Sequence, residues 1–440
     1  MDRNTNGNTG NNSDRPSGTA AGRSHLIRRI ALLGAAGLVL GCLVVFILVE
    51  LWPAGGARVA NLTRNLFGPQ VVAQLETIVF QVQDRLETWQ YQSGVRQAAA
   101  PWEQASPPAQ IEASNLPPTT ASPTLPTPTA TPAQAAAAET LPATEPPQPT
   151  PSATPAVWQL ADLAPFGDLE GEGVWQPYLY DQTGQVVARR TFLQPDPERP
   201  QALVAVVAFD LTRTDLHFVL GFNDPALPDG PRGDGRIPEE DLDPQILLAA
   251  FNGGFRAANG MFGAMADGVE ALPPKDGLAT VAIYQDGRVQ IGAWREDIQP
   301  DPELVSWRQN APLVVQDGAI SERVYNDSIV DWGGTISNQI VTRRSGLSLD
   351  QAGETLFYFA GPSLSMPVLG EAMLAAGVYA GMLLDINHFW VHFTAIYAGE
   401  DRLRVEALLP EDMTDQVERY LGASPVDFFY VTLREEGELD

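Results

Sequence analysis

The chain has 440 residues, 54 Asp and Glu against 27 Lys and Arg, and a formal net charge of -27. That balance leaves no basic face for a phosphate backbone, so nucleic acid is excluded as a partner, and it disfavours adhesion to anionic lipid. The single cysteine, Cys42, sits in an apolar N-terminal stretch, so the region downstream holds no disulfide; a domain of the size left there needs none.

Residues 1–29 begin rich in Asn, Gly, Ser and Thr and read as a disordered cytoplasmic tail. From Ile30 to Trp52 the chain is apolar with Glu50 the only charge, long enough to cross a hydrocarbon core of about 30 Å as one helix. Arg23, Arg28 and Arg29 precede it. By the positive-inside rule the N-terminus is expected in the cytoplasm, with the rest held outside as a single-pass cell-membrane protein. Two rival readings are a cleaved signal peptide, for which the core is too long, and a lipoprotein box at Val39-Leu40-Gly41-Cys42, after which Leu43 to Leu48 stay apolar.

Residues 53–100 are expected to hold a juxtamembrane helix. Val72, Leu75, Val79, Val82, Leu86 and Trp89 recur in steps of three and four, the spacing of a coiled-coil seam. Residues 70–90 therefore either pair as a homodimer or form an amphipathic helix that lies on the membrane or docks elsewhere. Residues 101–157, dominated by Pro, Thr, Ala and Ser, read as a semi-rigid spacer.

Residues 158–440 read as one mixed α/β (α+β) domain, strand-rich with few helices. Leu203–Phe209 and Ile246–Phe251 are expected as buried strands, and Leu356–Ala360 and Phe428–Leu433 as two more. Thr280–Trp294 and Pro312–Ile320 are expected as hairpins turning at Asp286-Gly287 and Asp317-Gly318. Ser365 to Ala376 predicts a helix, with Ser365 as cap, Pro367 in the first turn and Gly377 as stop. The chain then re-enters a sheet at Gly381–Asp385.

Three places offer chemistry. In Phe251-Asn252-Gly253-Gly254-Phe255 a strand ends in an amide and two glycines, so the backbone either approaches a ligand closely or simply turns. Thr342-Arg343-Arg344-Ser345-Gly346 supplies paired guanidinium groups, fit for phosphate or for an ion pair. Leu383-Leu384-Asp385-Ile386-Asn387-His388 sets an acid at a strand end, where it either reacts or forms a turn. His388 and His392 fall in a stretch that looks like strand and lack a third ligand nearby in sequence, so no metal is expected. There is no Walker loop, nucleophile elbow, zinc-protease motif or dinucleotide fingerprint, and no cofactor is expected.

These segments, in this order, resemble the phosphodiester glycosidase family. Asn252-Gly253-Gly254-Phe255 looks like its Asn-Gly-Gly-Phe, and Gly263 to Gly268 its glycine and Asp-Gly element. Gln309 to Gly318 is similar to its Gly-Pro-x-Leu-x-x-Asp-Gly strand, and Arg344 to Asp350 to its Arg-(Ser/Thr)-x-x-Gly element. Leu384-Asp385 resembles the start of its Leu-Asp-Gly-Gly-Gly-Ser. Two departures stand out: Ile386-Asn387-His388-Phe389 replaces Gly-Gly-Gly-Ser, and Ser348 replaces a glycine. The resemblance implies hydrolysis of a sugar-1-phosphodiester in envelope or exopolysaccharide metabolism. Arg344 would hold the phosphate, Asp385 would activate water or attack, and Asn252 would orient the sugar. Asp267 would be a second carboxylate, and Gly253, Gly254, Asn387 and His388 would line the substrate. The alternative is a non-catalytic module that binds polysaccharide or an envelope protein, with Phe389 and Trp390 as sugar-facing aromatics.

Overall fold

The structure, a computed structural model, describes residues 84–102, 109–112, 158–326, 332, 341–398, 402–413 and 416–434. The expected cytoplasmic tail and membrane span lie outside these residues, as do most of the juxtamembrane helix and of the spacer.

The described chain is strand-rich, and its strands form three sheets. The largest has eight: β2 (Gln176–Tyr180), β3 (Val186–Leu193), β4 (Val204–Asp210), β12 (Leu313–Gln316), β13 (Ala319–Ile320), β14 (Thr342–Leu349), β15 (Thr355–Leu364) and β16 (Ala380–Leu383). Their order is β13-β12-β16-β14-β15-β4-β3-β2. The second comprises β1 (Ala109–Glu112), β5 (Thr214–Val219), β6 (Leu247–Asn252), β17 (Phe393–Tyr397), β18 (Arg402–Ala407) and β19 (Phe428–Leu433), in the order β1-β18-β17-β6-β19-β5. The third runs β10-β9-β11-β7-β8, from β7 (Ala264–Ala266), β8 (Val269–Leu272), β9 (Ala279–Tyr284), β10 (Val289–Ala293) and β11 (Leu304–Gln309).

All three sheets turn side chains into one core, which includes Val207, Phe209, Leu216, Phe251, Val281, Leu347, Tyr358 and Phe393. The eight-stranded sheet is covered on its other face by helix α1 (Met366–Ala375). This explains why the β4 sequence is apolar without alternation: Val204, Val206 and Ala208 meet the helix layer, while Ala205, Val207 and Phe209 enter the central core. Helix α1 begins where Ser365 Oγ accepts from the Val368 amide at 3.4 Å, with proline in its first turn. It stops at Gly377, whose φ of +79° a side chain rarely adopts. The hairpin β12–β13 turns through Asp317 and Gly318, both at positive φ (52° and 71°), as a tight primed turn requires.

Two expectations are corrected. Residues 388–390 form a turn rather than strand, and the strand begins only at Phe393. The Asn387 side chain accepts from the Phe389 amide at 2.9 Å, and its carbonyl accepts from Trp390 and Val391, which closes the turn locally. The tract expected as spacer from residue 101 also contains folded structure. Trp102 lies edge-on to Phe192, and Ala109–Glu112 pairs antiparallel with β18. Just upstream, residues 84–92 are helical and rest on the same body.

Candidate active site

The site grows from the meeting of β6, β14 and the end of β16. In antiparallel register Gly346 pairs with Leu383, and Ser345 exchanges hydrogen bonds with the next residues: its amide donates to the Asp385 carbonyl and its carbonyl accepts from Leu384, both at 2.9 Å. Ser345 Oγ accepts from the Asp385 amide at 3.2 Å and from Asn252 Nδ2 at 2.9 Å. Asn252 Oδ1 in turn accepts from Tyr358 Oη at 2.9 Å and from the His392 amide at 3.3 Å. The amide of Asn252 thus ties the six-stranded sheet to the eight-stranded one and sits one hydroxyl away from the Asp385 backbone.

The Asp385 carboxyl is buried, with 6% exposure. Its Oδ1 accepts from the amides of Ile386 at 2.6 Å and Asn387 at 3.0 Å. Burial disfavours the charged form and raises its pKa to about 7, against the opposing pull of those two amides; nearby Asp427 adds to the rise and Arg308 counters it. A carboxyl poised there can exchange a proton near neutral pH.

Near it lies a buried ion pair that sequence reasoning missed. Arg308, wholly buried, donates from Nε to Asp427 Oδ2 at 2.7 Å. Its other nitrogens donate to the carbonyls of Phe255, Phe262 and Gln309. Burial raises the Asp427 carboxyl above its ordinary range despite the guanidinium beside it. The Gly253 and Gly254 amides donate to Asp427, to its carbonyl and to Oδ2 respectively, each at 3.2 Å. A Cβ on Gly253 would lie 2.3 Å from Asp427 Oδ2. The close approach that these glycines permit is therefore to Asp427. Asn310 completes the floor by donating to the carbonyls of Leu383 and Leu384. The only local signal for the pair was an arginine inside the otherwise buried strand β11.

The remaining expected residues scatter. Arg344 lies beside Asp385 on the neighbouring strand, but its guanidinium is wholly buried and Nε donates to the Leu364 carbonyl at 2.8 Å; burial lowers its pKa to about 9. It is not poised to meet a ligand in this conformation. Arg343, also buried at 4% exposure, donates to the His388 carbonyl at 2.7 Å and to Asp412 at 3.1 Å. A cleft there is lined by Asp84, Glu87, Thr342, Arg343, His388 and Asp412. Asn387 and His388 are exposed on the turn. His392 is interior, its imidazole held well below the usual range by burial, so the two histidines share no face. Asp267 stands at positive φ in the β7–β8 turn. Burial raises its carboxyl, and the charges acting on it are His217 and Asp241 rather than Asp385. It belongs to a separate polar patch where His217 stacks on Tyr430 at 4.5 Å.

No family model matches the chain, and no curated protein matches it. Among solved structures, the catalytic domain of zebrafish N-acetylglucosamine-1-phosphodiester alpha-N-acetylglucosaminidase, auto-inhibited by its pro-peptide, aligns with a TM-score of 0.36 at 14% identity, over 58% of this chain and 86% of that one. A hypothetical protein from Synechocystis aligns with a TM-score of 0.32 at 11% identity, over 56% of this chain and 62% of that one.

Proposed function

We propose that the chain is a membrane-anchored, extracytoplasmic hydrolase of sugar-1-phosphodiesters in envelope or exopolysaccharide material, with Asp385 as its reacting carboxyl. The observation that carries this reading is a buried carboxyl with its pKa raised to about 7, oriented through Oδ1 by two backbone amides. A phosphate monoester is a weak base and departs with little help from an acid, so one ionised carboxylate that activates water or attacks the anomeric carbon suffices; the second carboxylate usual in glycoside hydrolysis is not required. In this reading Asn252 and Ser345 hold the backbone of Asp385 in place. Arg343 is the guanidinium at the cleft, and residues 30–52 are the anchor.

A second reading is favoured by the loop that follows the acid. Phe389 is 38% exposed, with Trp390 edge-on at a centroid distance of 4.8 Å. The Arg419 guanidinium lies over the Phe389 ring at 4.9 Å, and a part-exposed aromatic pair beside a cation suits a sugar, so the domain would be a glycan-binding module without turnover.

Release of sugar from a sugar-1-phosphodiester by the purified chain separates the two. Asp385→Asn keeps the acceptor for the Ile386 and Asn387 amides and is expected to lower turnover about 10²–10⁴-fold. Turnover unchanged in that variant removes Asp385 from the chemistry, and glycan binding by a wild-type chain with no turnover selects the module.

A further inference from the structure

The short helix at residues 84–92 is turned in an unexpected direction. Its polar side meets the domain: Asp84 Oδ1 accepts from Arg199 Nη1 and from Ser363 Oγ, both at 2.9 Å. Thr88 Oγ1 accepts from Gln201 Nε2 at 2.7 Å. Its apolar residues point away, with Leu86 53% and Trp89 59% exposed. A helix docked for its own burial would turn those residues inward.

Leu86 and Trp89 are also the last two members of the three-and-four series that runs from Val72 through Leu75, Val79 and Val82. In heptad terms they occupy a and d, whereas Asp84 and Thr88 occupy f and c on the opposite side. The domain is thus fastened to the back of the helix, and Leu86 and Trp89 are left clear. A membrane surface is the poorer occupant, because Glu76, Asp84 and Glu87 outnumber Arg85 along this stretch and anionic lipid would repel them.

We infer that the outward stripe is covered by the same stripe of a second copy of this chain, in a parallel two-stranded coiled coil that carries one domain on the outside of each helix. The parallel sense follows if both N-termini enter one membrane. The inference is independent of any catalytic role for Asp385.

The test uses the full chain in detergent with its only cysteine, Cys42, replaced by serine. Leu86→Cys and Trp89→Cys are expected to form disulfide-linked dimers on mild oxidation, and Thr88→Cys is not. Leu86→Asp with Trp89→Asp is expected to weaken the dimer by about 100-fold or more in sedimentation, with thermal unfolding of the domain unchanged. A wild-type chain that sediments as a monomer at micromolar concentration overturns the inference. So does cross-linking through residue 88 as efficient as through residue 86, which places the domain-facing side at the contact.

Discussion

At the scale of single residues, Asp385 links stability and chemistry through one proton. Its ordinary pKa of 3.8 is raised to about 7 by burial. Below pH 3.8 both folded and unfolded chains hold the proton, and the residue leaves stability unaffected. Between 3.8 and about 7 the folded state keeps a proton that the unfolded state releases, so stability falls as pH rises; above about 7 the penalty is constant, on the order of 4 kcal/mol. Asp385→Asn removes that penalty. Its melting temperature is expected to exceed wild type clearly at pH 8, by less at pH 5 and hardly at pH 3, as thermal scans across pH would show. A wild-type advantage at pH 8 would mean that the carboxylate is paired rather than stranded. Where the ionised carboxylate reacts, wild-type turnover rises with pH through about 7, the opposite trend from stability. Asn252 makes a different claim. Asn252→Ala removes the donor to Ser345 and the acceptor that Tyr358 uses at 2.9 Å inside the core, at a cost of about 2–3 kcal/mol. Chemical denaturation measures it, and a loss within about 0.5 kcal/mol of zero would show that the inter-sheet tie is dispensable.

At the scale of elements, the turn from β6 into Gly253 and Gly254 is shaped by what lies under it. A Cβ on Gly253 meets both Asp427 Oδ2 and, at 2.8 Å, the Asp427 carbonyl, whereas one on Gly254 meets the Arg308 guanidinium at 3.0 Å. Backbone yields less readily than a side-chain end. Gly253→Ala is therefore expected to force Asp427 away from Arg308 and cost about 3 kcal/mol or more, with Gly254→Ala costing about 1–2 kcal/mol. Urea unfolding of the two variants gives the order, and a reversed order would show that the Asp427 backbone moves freely. The same turn marks what was legible in the sequence. Strands with continuous apolar runs, hairpins closed by Asp-Gly and the capped helix α1 are dictated by neighbours within a dozen residues, and each appears where local chemistry puts it. The Asn-Gly-Gly signal allowed either a close approach to a ligand or a plain turn, and the structure shows a close approach to Asp427 instead. The signal could not point to Asp427, because that contact spans 173 residues and the Arg308–Asp427 pair spans 119. Arg343 and Arg344 read alike as neighbours in sequence, and both are buried, yet strand alternation turns one toward His388 and Asp412 and the other toward the Leu364 carbonyl. The turn at 388–390 escaped the strand reading because one side chain, Asn387, outweighs the β propensity of the residues after it.

For the whole molecule, the segment before the Pro/Thr tract changes what the tract does. The 84–92 helix, Trp102 and strand β1 all rest on the body formed by residues 158–434. Arg190 lies over the Trp102 ring at 4.4 Å, Arg96 pairs with Glu411 at 3.2 Å, and Ala109 to Glu112 run in register against Val405 to Arg402. Glu112, in the strand paired with β18, and Trp158, whose carbonyl accepts from Arg189, both belong to this body, so the sequence between them has its two ends anchored on one domain. Fixing both ends is an entropic cost that grows only slowly with the length between them, and the docked contacts meet it. A protease site placed between Ala136 and Ala137 is expected to cut the chain and leave the two pieces together through gel filtration. Trp102→Ala should weaken the association by about 1–2 kcal/mol, through loss of the ring pair with Phe192 and the cation–π contact with Arg190. Immediate separation of the wild-type pieces would mean that residues 84–112 merely lie against the domain, and the tract would again be a spacer along its whole length. Persistence would show that residues 84–112 are part of the folded body, so that the prolines after 112 do not set the distance between the domain and residue 84.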